Sequence, residues 1–254
     1  MKLTLIGNGN MALSLAKGLC ESYELEIIGR DLINLEQFKK EVPQVVVKVL
    51  QDNENIRGKN ILLCVKPYVL SEIAARLQGE ANTLYSILAG TTIESLKSQI
   101  QAESYVRTMP NLGASYHASM TTLTGDENAK NKAIEIFNSI GTTLWVKTQK
   151  ELDIATAIAG SGPAYLALIA EALSDGGVRC GLTRSDSQTL VKGLFSGFAP
   201  LIQNNQASAI KDGVMSPGGT TAAGYAMLEE NGVRTAMIQT VAAAFKQAIK
   251  LGKK

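Results

Sequence analysis

The chain has 254 residues, a formal net charge of +2, and a composition of 45% hydrophobic and 19% charged residues. These values are typical of a folded globular protein with one or two domains, and they exclude a disordered or fibrous chain. The nearly balanced charge also lacks the basic footprint of a nucleic-acid-binding protein, so we expect no nucleic acid partner.

Short apolar runs alternate with helical patterns through the first half of the chain. The predicted strands, in chain order, are Leu3–Ile6, Glu24–Ile28, Val45–Val49, Ile61–Val65, Leu84–Leu88, Tyr105–Arg107, Met120–Leu123 and Thr143–Val146. Continuous apolar strands separated by helices are typical of a parallel sheet covered on both faces. We therefore predict an α/β fold whose N-terminal domain, residues 1–150, is a Rossmann-type doubly wound sheet.

The segment Gly7–Ala12 follows the first predicted strand and opens a helix predicted over Met11–Cys20. That is the context a dinucleotide-binding fingerprint requires. Gly7 permits a tight turn, Gly9 lets the backbone approach a pyrophosphate, and Ala12 allows close packing of helix on strand. Free N–H groups and the helix dipole attract the phosphate charge. The expected cofactor-binding residues of this turn are Ile6, Gly7, Asn8, Gly9, Asn10 and Met11.

The end of the second predicted strand bears on which nicotinamide cofactor binds. An NAD enzyme usually places an acidic residue there, to bind the ribose 2′-hydroxyl. Here Gly29 stands at that position and Arg30 follows, and a guanidinium suits the 2′-phosphate of NADP. The sequence therefore favours NADPH as hydride donor. Asp31 leaves NAD open, because a shift of one residue would bring its carboxylate into range.

Strand signals stop near Leu152, and the second half of the chain has helical patterns. The predicted helices run from Ser161-Gly162-Pro163 to Gly176-Gly177, from Ser185-Asp186 toward Phe198 and before Pro200, over Ala222–Glu230, and over Arg234–Lys250. Their many small residues, such as Ala242–Ala244, let helices approach closely. We interpret residues 151–254 as an all-α dimerisation domain; the alternative is a compact monomeric helical domain.

Cysteine spacing and apolar length bear on compartment. Cys20, Cys64 and Cys180 are far apart, which predicts free thiols in a reducing compartment and no metal site. The longest uncharged apolar stretch, Ala164–Ala170, is too short to cross a bilayer. The apolar run Leu3–Ile6 is broken at once by polar residues, unlike a secretory signal. We expect a cytoplasmic protein with no membrane contact.

Four further segments carry a resemblance to a known family. They are Val65-Lys66-Pro67, Met109-Pro110-Asn111, Gly160–Tyr165 and, most specific, Ser216-Pro217-Gly218-Gly219-Thr220-Thr221 followed by Leu228-Glu229. In this order and at these spacings, over essentially the whole chain, they resemble pyrroline-5-carboxylate reductases. The resemblance implies NAD(P)H-dependent reduction of (S)-1-pyrroline-5-carboxylate to L-proline, the last step of proline biosynthesis. It also implies a helical domain that interlocks with a second subunit, and in some members a ring of dimers.

The Ser216–Thr221 segment suits this substrate, a cyclic imine that bears one carboxylate. Its glycines expose backbone N–H groups at the start of a helix, and such an end binds a carboxylate well. By resemblance, the Thr221 hydroxyl hydrogen-bonds the imine nitrogen and Thr220 helps to hold the carboxylate. Ser216, Gly218 and Gly219 complete the expected site. The alternative is a glycine turn in which a threonine caps a helix beginning at Ala222.

The resemblance also implies contacts elsewhere. For the cofactor, the implied contacts are Val65, Lys66, Pro67, Asn53 near the ribose and Asn111 near the nicotinamide. Ala89 is a further expected cofactor contact, because it lies at the end of a predicted strand. For the substrate, the implied contacts are Ser161 and Gly162. Four of these predictions have an ordinary alternative: a helix start at Pro67, a loop residue at Asn53, a Pro-Asn turn at Asn111, and a helix cap at Ser161.

Two departures from the family and two rival functions remain. Many members have an acidic residue where Gln149 stands and an asparagine where Gly213 stands, which leaves those two contacts in doubt. We expect no strong protein acid, and His117 is interpreted as a solvated loop residue. One rival is another Rossmann-fold imine or hydroxyacid reductase, although the helix with Lys192 lacks the expected catalytic pattern. The other is a non-catalytic NADP-binding regulator.

Overall fold

The structure, a computed structural model, describes residues 1–252. The strands are β1 (Lys2–Ile6), β2 (Glu24–Gly29), β3 (Val46–Val49), β4 (Glu54–Asn55), β5 (Asn60–Leu63), β6 (Leu77–Gln78), β7 (Ala81–Ser86), β8 (Ala102–Met109), β9 (Ser119–Gly125) and β10 (Gly141–Trp145). The helices are α1 (Asn10–Leu19), α2 (Leu32–Glu41), α3 (Leu70–Ala74), α4 (Ile93–Lys97), α5 (Lys130–Asn138), α6 (Gln149–Ala155), α7 (Gly162–Arg179), α8 (Arg184–Asn204), α9 (Ala207–Val214), α10 (Thr220–Glu230) and α11 (Val233–Leu251).

Eight of these strands form one sheet in the order β10-β9-β8-β7-β5-β1-β2-β3. Every neighbouring pair is parallel except β8 with β9, which is antiparallel. The chain passes from β1 outward to β2 and β3, and then returns to β5 on the other side of β1. This reversal creates a crevice at the carboxyl ends of β1 and β5, where ligands of doubly wound folds bind. The predicted α/β class with a helical second half is confirmed.

Alternating strand residues build a core on each face of the sheet. On one face, Leu3, Leu5 and Ile27 pack with residues of α1, α2 and α5. On the other, Ile6 and Ile28 pack with residues of α3 and α4. Each fully buried leucine or isoleucine stabilises the fold by roughly 1.5–3 kcal/mol relative to an exposed one. The two cores hold β1 rigidly, and β1 leads directly into the Gly7 turn.

A charged cluster interrupts the second core. The Glu26 carboxylate accepts hydrogen bonds from Lys59 Nζ at 2.8 Å, Lys2 Nζ at 3.1 Å and the Thr4 hydroxyl at 3.0 Å. Burial raises the pKa of Glu26, but the hydrogen bonds and the charge of Lys59 outweigh it and lower the pKa to about 2. Glu26 is therefore ionised at neutral pH and ties β2 to β1 and to the segment before β5.

The chain divides into two compact units, one of Met1–Gly162 with the residues from Ala243 onward, the other of Pro163–Ala242. In the second unit, Gly177 does not end α7 as predicted. A Cβ there would overlap the Ser187 hydroxyl, so the glycine permits close packing of α7 on α8. The helix runs on to Arg179, and Gly181, with φ +110°, reverses the chain. Thr183 then caps α8 through Asp186 N.

The predicted end of α8 before Pro200 is also wrong, because α8 continues to Asn204. A proline inside a helix removes one hydrogen bond, here the one to the carbonyl of Ser196. Ser196 is exposed, so its carbonyl can bond to water instead.

Helix α6, a π-helical turn at Thr156–Gly160 and α7 form one continuous helix, Gln149–Arg179. By length and composition alone this helix could cross a membrane, unlike the shorter uncharged run Ala164–Ala170 within it. Soluble proteins also contain such helices, and only 11% of its most apolar window is buried in the single chain. Its exposed apolar side chains are typical of an interaction surface.

Candidate functional site

A pocket opens at the crevice beside β1. It lies at the carboxyl ends of β1, β2 and β5 and at the start of α1. Its lining consists of Ile6, Gly7, Asn8, Gly9, Ile28, Gly29, Arg30, Leu50, Cys64, Val65, Lys66, Tyr68, Val69 and Ile73. The pocket therefore brings together seven of the predicted cofactor residues: Ile6, Gly7, Asn8, Gly9, Arg30, Val65 and Lys66.

The turn from β1 into α1 depends on its two glycines. Gly7 has φ +111°, and a Cβ there would stand 2.7 Å from the carbonyl oxygen of Cys64. Gly9 is the N-cap residue of α1, and a Cβ there would meet no described atom within 4 Å, its chain neighbours aside. Because glycine has no side chain to cap the helix, the first N–H groups of α1 receive no side-chain cap. This cradle fits the pyrophosphate of a dinucleotide.

The end of β2 shows why a glycine occupies the usual acidic position. A Cβ at Gly29 would lie 2.9 Å from the side-chain oxygen of Asn8 and 3.0 Å from Leu35. The next residue, Arg30, lines the pocket. Asp31 instead caps α2, because its carboxylate accepts a hydrogen bond from Asn34 N at 2.8 Å. A cation therefore stands beside the pocket, and the neighbouring carboxylate is occupied in a helix cap.

Sequence reasoning missed three features of this pocket. Tyr68 lines it with a side chain that is 85% exposed. Glu72, on α3, forms an ion pair with Arg30. Leu50, after β3, lines the floor between β2 and α3. The position of Tyr68 directly after Lys66-Pro67 was a usable signal, whereas only the sheet order brings Leu50 to the pocket and Glu72 to Arg30.

Cys64 lies under the Gly7 turn at the end of β5. Its carbonyl faces Gly7, and burial raises the pKa of its thiol well above the usual range. The thiol is therefore protonated at neutral pH and contributes packing, not nucleophilic chemistry.

The other predicted cofactor residues lie outside the pocket lining. Asn10 and Met11 form the first turn of α1, and Pro67 begins a 3₁₀ turn that follows Lys66. Asn53 is exposed in the loop between β3 and β4, with a left-handed φ of +58°. None of these residues is part of the pocket lining, although Asn10 and Met11 carry the first N–H groups of α1.

Ala89 and Asn111 lie farther along the carboxyl edge of the sheet. Ala89 precedes Gly90, whose backbone packs against Ala248 and Leu251 of α11. The Asn111 side chain accepts a hydrogen bond from Gly113 N at 2.9 Å and donates one to the carbonyl of Ala159 at 3.0 Å. Asn111 thus has the structural role of a turn residue, which was its ordinary alternative.

That bond from Asn111 explains the junction that contains Ser161 and Gly162. Pro163 has no N–H to give to the carbonyl four residues earlier, which is that of Ala159. The Asn111 amide donates to this carbonyl in its place. Ser161 stays in a helical conformation between the π-helical turn and α7, so the predicted serine cap is wrong, whereas α7 begins at Gly162, within the predicted helix start. π-helical turns are frequent at functional sites.

Gln149 begins α6, beside a buried ion pair. Arg107, only 1% exposed, donates to Asp153 at 2.7 Å and weakly to the Gln149 side-chain oxygen at 3.4 Å. The same oxygen accepts a bond from Ile93 N at 2.8 Å, and the Gln149 amide donates to Glu94. In this chain Gln149 therefore connects α6 to α4 and β8. Its amide carries no charge with which to meet a substrate amine.

The Ser216–Thr221 turn lies in the second unit. Gly218 has φ +68°, and Gly219 is the N-cap residue of α10, which begins at Thr220. The predicted threonine cap is wrong. Because a glycine occupies the cap position, the first N–H groups of α10 and the hydroxyls of Thr220 and Thr221 are not used in side-chain capping. The turn is largely exposed in the single chain, as a ligand site requires.

The lone histidine lies outside the lining of the cofactor pocket. His117 has a left-handed φ of +52°, and its Nδ1 lies 2.9 Å from the carbonyl oxygen of Ser139. Its other ring nitrogen lies 3.6 Å from Glu21. His117 is exposed, as predicted, and also links the turn after β8 to the ends of α5 and α1.

The second unit exposes an unusual number of large apolar side chains. They include Leu166, Leu168, Leu173, Leu190, Leu194, Phe198, Leu201, Met227, Leu228 and Ile238, each more than 40% exposed. Soluble monomers seldom expose so much apolar surface in one region, which marks an interaction surface.

Comparisons with known proteins match both parts of the chain. Residues 149–251 match the family model described as pyrroline-5-carboxylate reductase dimerisation. Residues 2–90 match the model described as NADP oxidoreductase, coenzyme F420-dependent. The dimerisation match covers the apolar surface described above and supports self-association.

Full-length relatives agree with these matches. The pyrroline-5-carboxylate reductase of Synechocystis sp. is 38% identical, over 100% of this chain and 99% of its own length. The structure of the Plasmodium falciparum pyrroline carboxylate reductase with NADP bound is 28% identical and superposes with a TM-score of 0.82, covering 99% of this chain and 100% of that one. The Streptococcus pyogenes 1-pyrroline-5-carboxylate reductase gives a TM-score of 0.87 at 27% identity, covering 98% of each chain.

Proposed function

The chain belongs to the pyrroline-5-carboxylate reductase family, and on that premise we propose that it reduces (S)-1-pyrroline-5-carboxylate to L-proline with NADPH. This is the last step of proline biosynthesis. The observation that best supports the proposal is the start of α10, where Gly219 occupies the cap position. The hydroxyls of Thr220 and Thr221 are thereby left for the substrate instead of the helix.

The cofactor is assigned to the pocket at the start of α1. The N–H groups after Gly9 would hold the pyrophosphate, Arg30 the 2′-phosphate, and the turn Val65–Pro67 the dinucleotide beyond. When bound, NADPH supplies the hydride for the carbon of the C=N bond. Asn10 and Met11 carry those N–H groups. Asn53, Ala89 and Asn111 stay predicted cofactor contacts.

The substrate is assigned to the Ser216–Thr221 turn, with Ser161 and Gly162 as further contacts. The N–H groups at Gly218, Gly219 and Thr220 would bind the carboxylate. The imine enters protonated, so hydride addition at carbon gives the secondary amine without a protein acid. The Thr221 hydroxyl orients the ring through its nitrogen, which makes the reaction chiefly a matter of positioning.

We propose further that residues 1–150 bind the cofactor and residues 151–254 bind the substrate and a second copy of the chain. The apolar surface of Pro163–Ala242 supports a homodimer, and rings of dimers would follow from additional contacts. A reducing cytoplasm suits the three free thiols. In a dimer, the second copy and not a lipid bilayer would cover the Gln149–Arg179 helix.

The experiment is a spectrophotometric assay of the purified protein with pyrroline-5-carboxylate, following loss of NADPH absorbance. We expect turnover with NADPH, weaker turnover with NADH, and a dimer or larger assembly by sedimentation. Tight NADPH binding without turnover would support a non-catalytic regulator instead. Turnover with another imine or with a hydroxyacid alone would indicate a different reductase of this architecture.

A further inference from the structure

Arg30, the residue assigned to the 2′-phosphate, already has an anionic partner. Its Nη1 lies 3.1 Å from one carboxylate oxygen of Glu72 and 3.4 Å from the other. Both side chains are about half exposed, 56% for Arg30 and 53% for Glu72. A carboxylate therefore stands at the place where a second, more highly charged anion would have to bind the same guanidinium.

The position of Glu72 is set by the fold. It belongs to α3, whose Leu70 and Ile73 are buried in the second core. The neighbouring residues Val69 and Ile73 line the cofactor pocket itself. Glu72 is thus held at the rim of the pocket by the packing of its own helix, on the side that faces Arg30.

We propose that Glu72 is a specificity-determining residue that lowers the preference of this chain for NADPH over NADH. This inference rests on the proposed use of a nicotinamide dinucleotide in the pocket. The 2′-phosphate of NADPH must share Arg30 with the Glu72 carboxylate, and the two anions repel each other. NADH has a 2′-hydroxyl there, which bears no charge and can donate a hydrogen bond to a carboxylate. Glu72 therefore penalises only the phosphorylated cofactor.

The size of the effect follows from simple electrostatics. Two unit charges about 6 Å apart in water repel each other enough to weaken binding roughly threefold. A phosphate monoester carries about −1.5 to −2 charges at neutral pH, so the total penalty is about fivefold to tenfold. Because the site is exposed, added salt will reduce it.

The test is the variant Glu72→Gln, which removes the charge and keeps the shape and an oxygen that can accept from Arg30. Dissociation constants for NADPH and NADH are measured by fluorescence titration of the intact protein, without substrate and at low salt. We expect NADPH to bind to the variant about fivefold to tenfold more tightly than to the unmodified chain. The dissociation constant for NADH should change less than twofold. The NADPH gain should shrink at high salt.

Glu135→Gln is the matched control. The control variant also loses one charge and one exposed ion pair, here with Lys132, but α5 packs on the opposite face of the sheet from α3. This control should leave both dissociation constants unchanged. An unchanged or weakened NADPH affinity in Glu72→Gln would overturn the inference, as would an equal gain for both cofactors. Since these titrations need no turnover, they stand whether or not the chain reduces pyrroline-5-carboxylate, which the activity assay decides separately.

Discussion

Two helices of this protein begin in almost the same way. Helix α1 has Gly9 at its N-cap with φ −79° and ψ −178°, and α10 has Gly219 there with φ −79° and ψ 172°. A glycine with positive φ precedes each cap: Gly7 before α1 and Gly218 before α10. Both helix ends thus present bare N–H groups in the manner that suits an anion.

Their surroundings differ. A Cβ at Gly7 would strike the backbone at Cys64, within the sheet that forms the core of its unit. A Cβ at Gly218 would meet no described atom within 4 Å, its chain neighbours aside. The first turn is fixed by the packing of its own unit. The second is open in the single chain and belongs to a unit whose leucines are largely exposed. The same backbone turn is therefore packed against its own unit before α1 and is open to a ligand or a second subunit before α10.

The largest expected effect comes from Gly7→Ala. Positive φ and the contact with Cys64 should together destabilise the fold by about 3 kcal/mol and abolish NADPH binding, because the turn must shift. Thermal unfolding and cofactor titration measure the two effects. The matched change Gly218→Ala should lower stability by only about 1 kcal/mol and leave NADPH affinity intact. Equal losses of cofactor affinity in both variants would break the comparison between the two turns.

Thr221→Ala tests the second turn alone. Removing its hydroxyl should lower kcat roughly 100-fold while the dissociation constant for NADPH stays unchanged, since the residue is assigned to the substrate. Steady-state kinetics and cofactor titration supply both readouts. Thr221→Ser, which keeps a hydroxyl, should recover much of the turnover. A variant that lost cofactor affinity instead would contradict the division of roles.

Arg30→Gln tests the first turn alone. Loss of a charge-assisted hydrogen bond should weaken NADPH binding roughly tenfold to a hundredfold, with little change for NADH. The ratio of the two dissociation constants is the measurement. Equal weakening of both cofactors would show that Arg30 does not meet the 2′-phosphate.

The smallest expected effect concerns stability in acid. Because the folded pKa of Glu26 lies near 2, below its usual value of 4.5, its ionised form stabilises the native state above pH 4.5. That contribution is lost as the pH falls from 4.5 toward 2. Glu26→Gln should therefore lower Tm at neutral pH and flatten the fall of Tm across that acid range. Parallel curves of Tm against pH for Glu26→Gln and the unmodified protein would contradict this role of Glu26. The prediction concerns the sheet that carries the first turn and not the second turn.

The sequence predicted best what is local. The β1–Gly7–α1 unit, the change at β2 from an acidic residue to Gly29-Arg30, and the all-α second half follow from adjacent residues and their periodicity. Predicted helix ends failed where a glycine or proline has a second role. Gly177 serves helix packing, and Pro200 removes a single bond in an exposed helix. Helix α2 was missed because only Leu35 and Phe38 of its ten residues are buried.

The sites show the same limit. Residues of the first pocket that are contiguous in sequence were found, whereas only the order of the strands brings Leu50 to the pocket and Glu72 to Arg30. The threonine cap was wrong because glycine and threonine both favour a helix start, and only the backbone shows that Gly219 occupies the cap.

The most direct test of the central claim is to measure NADPH oxidised and L-proline formed, by chiral amino-acid analysis, when the purified protein meets racemic pyrroline-5-carboxylate. The account predicts equal molar amounts of the two, only the L enantiomer of proline, and loss of both signals in Thr221→Ala with NADPH still bound. NADPH binding without proline formation in the unmodified protein would contradict it.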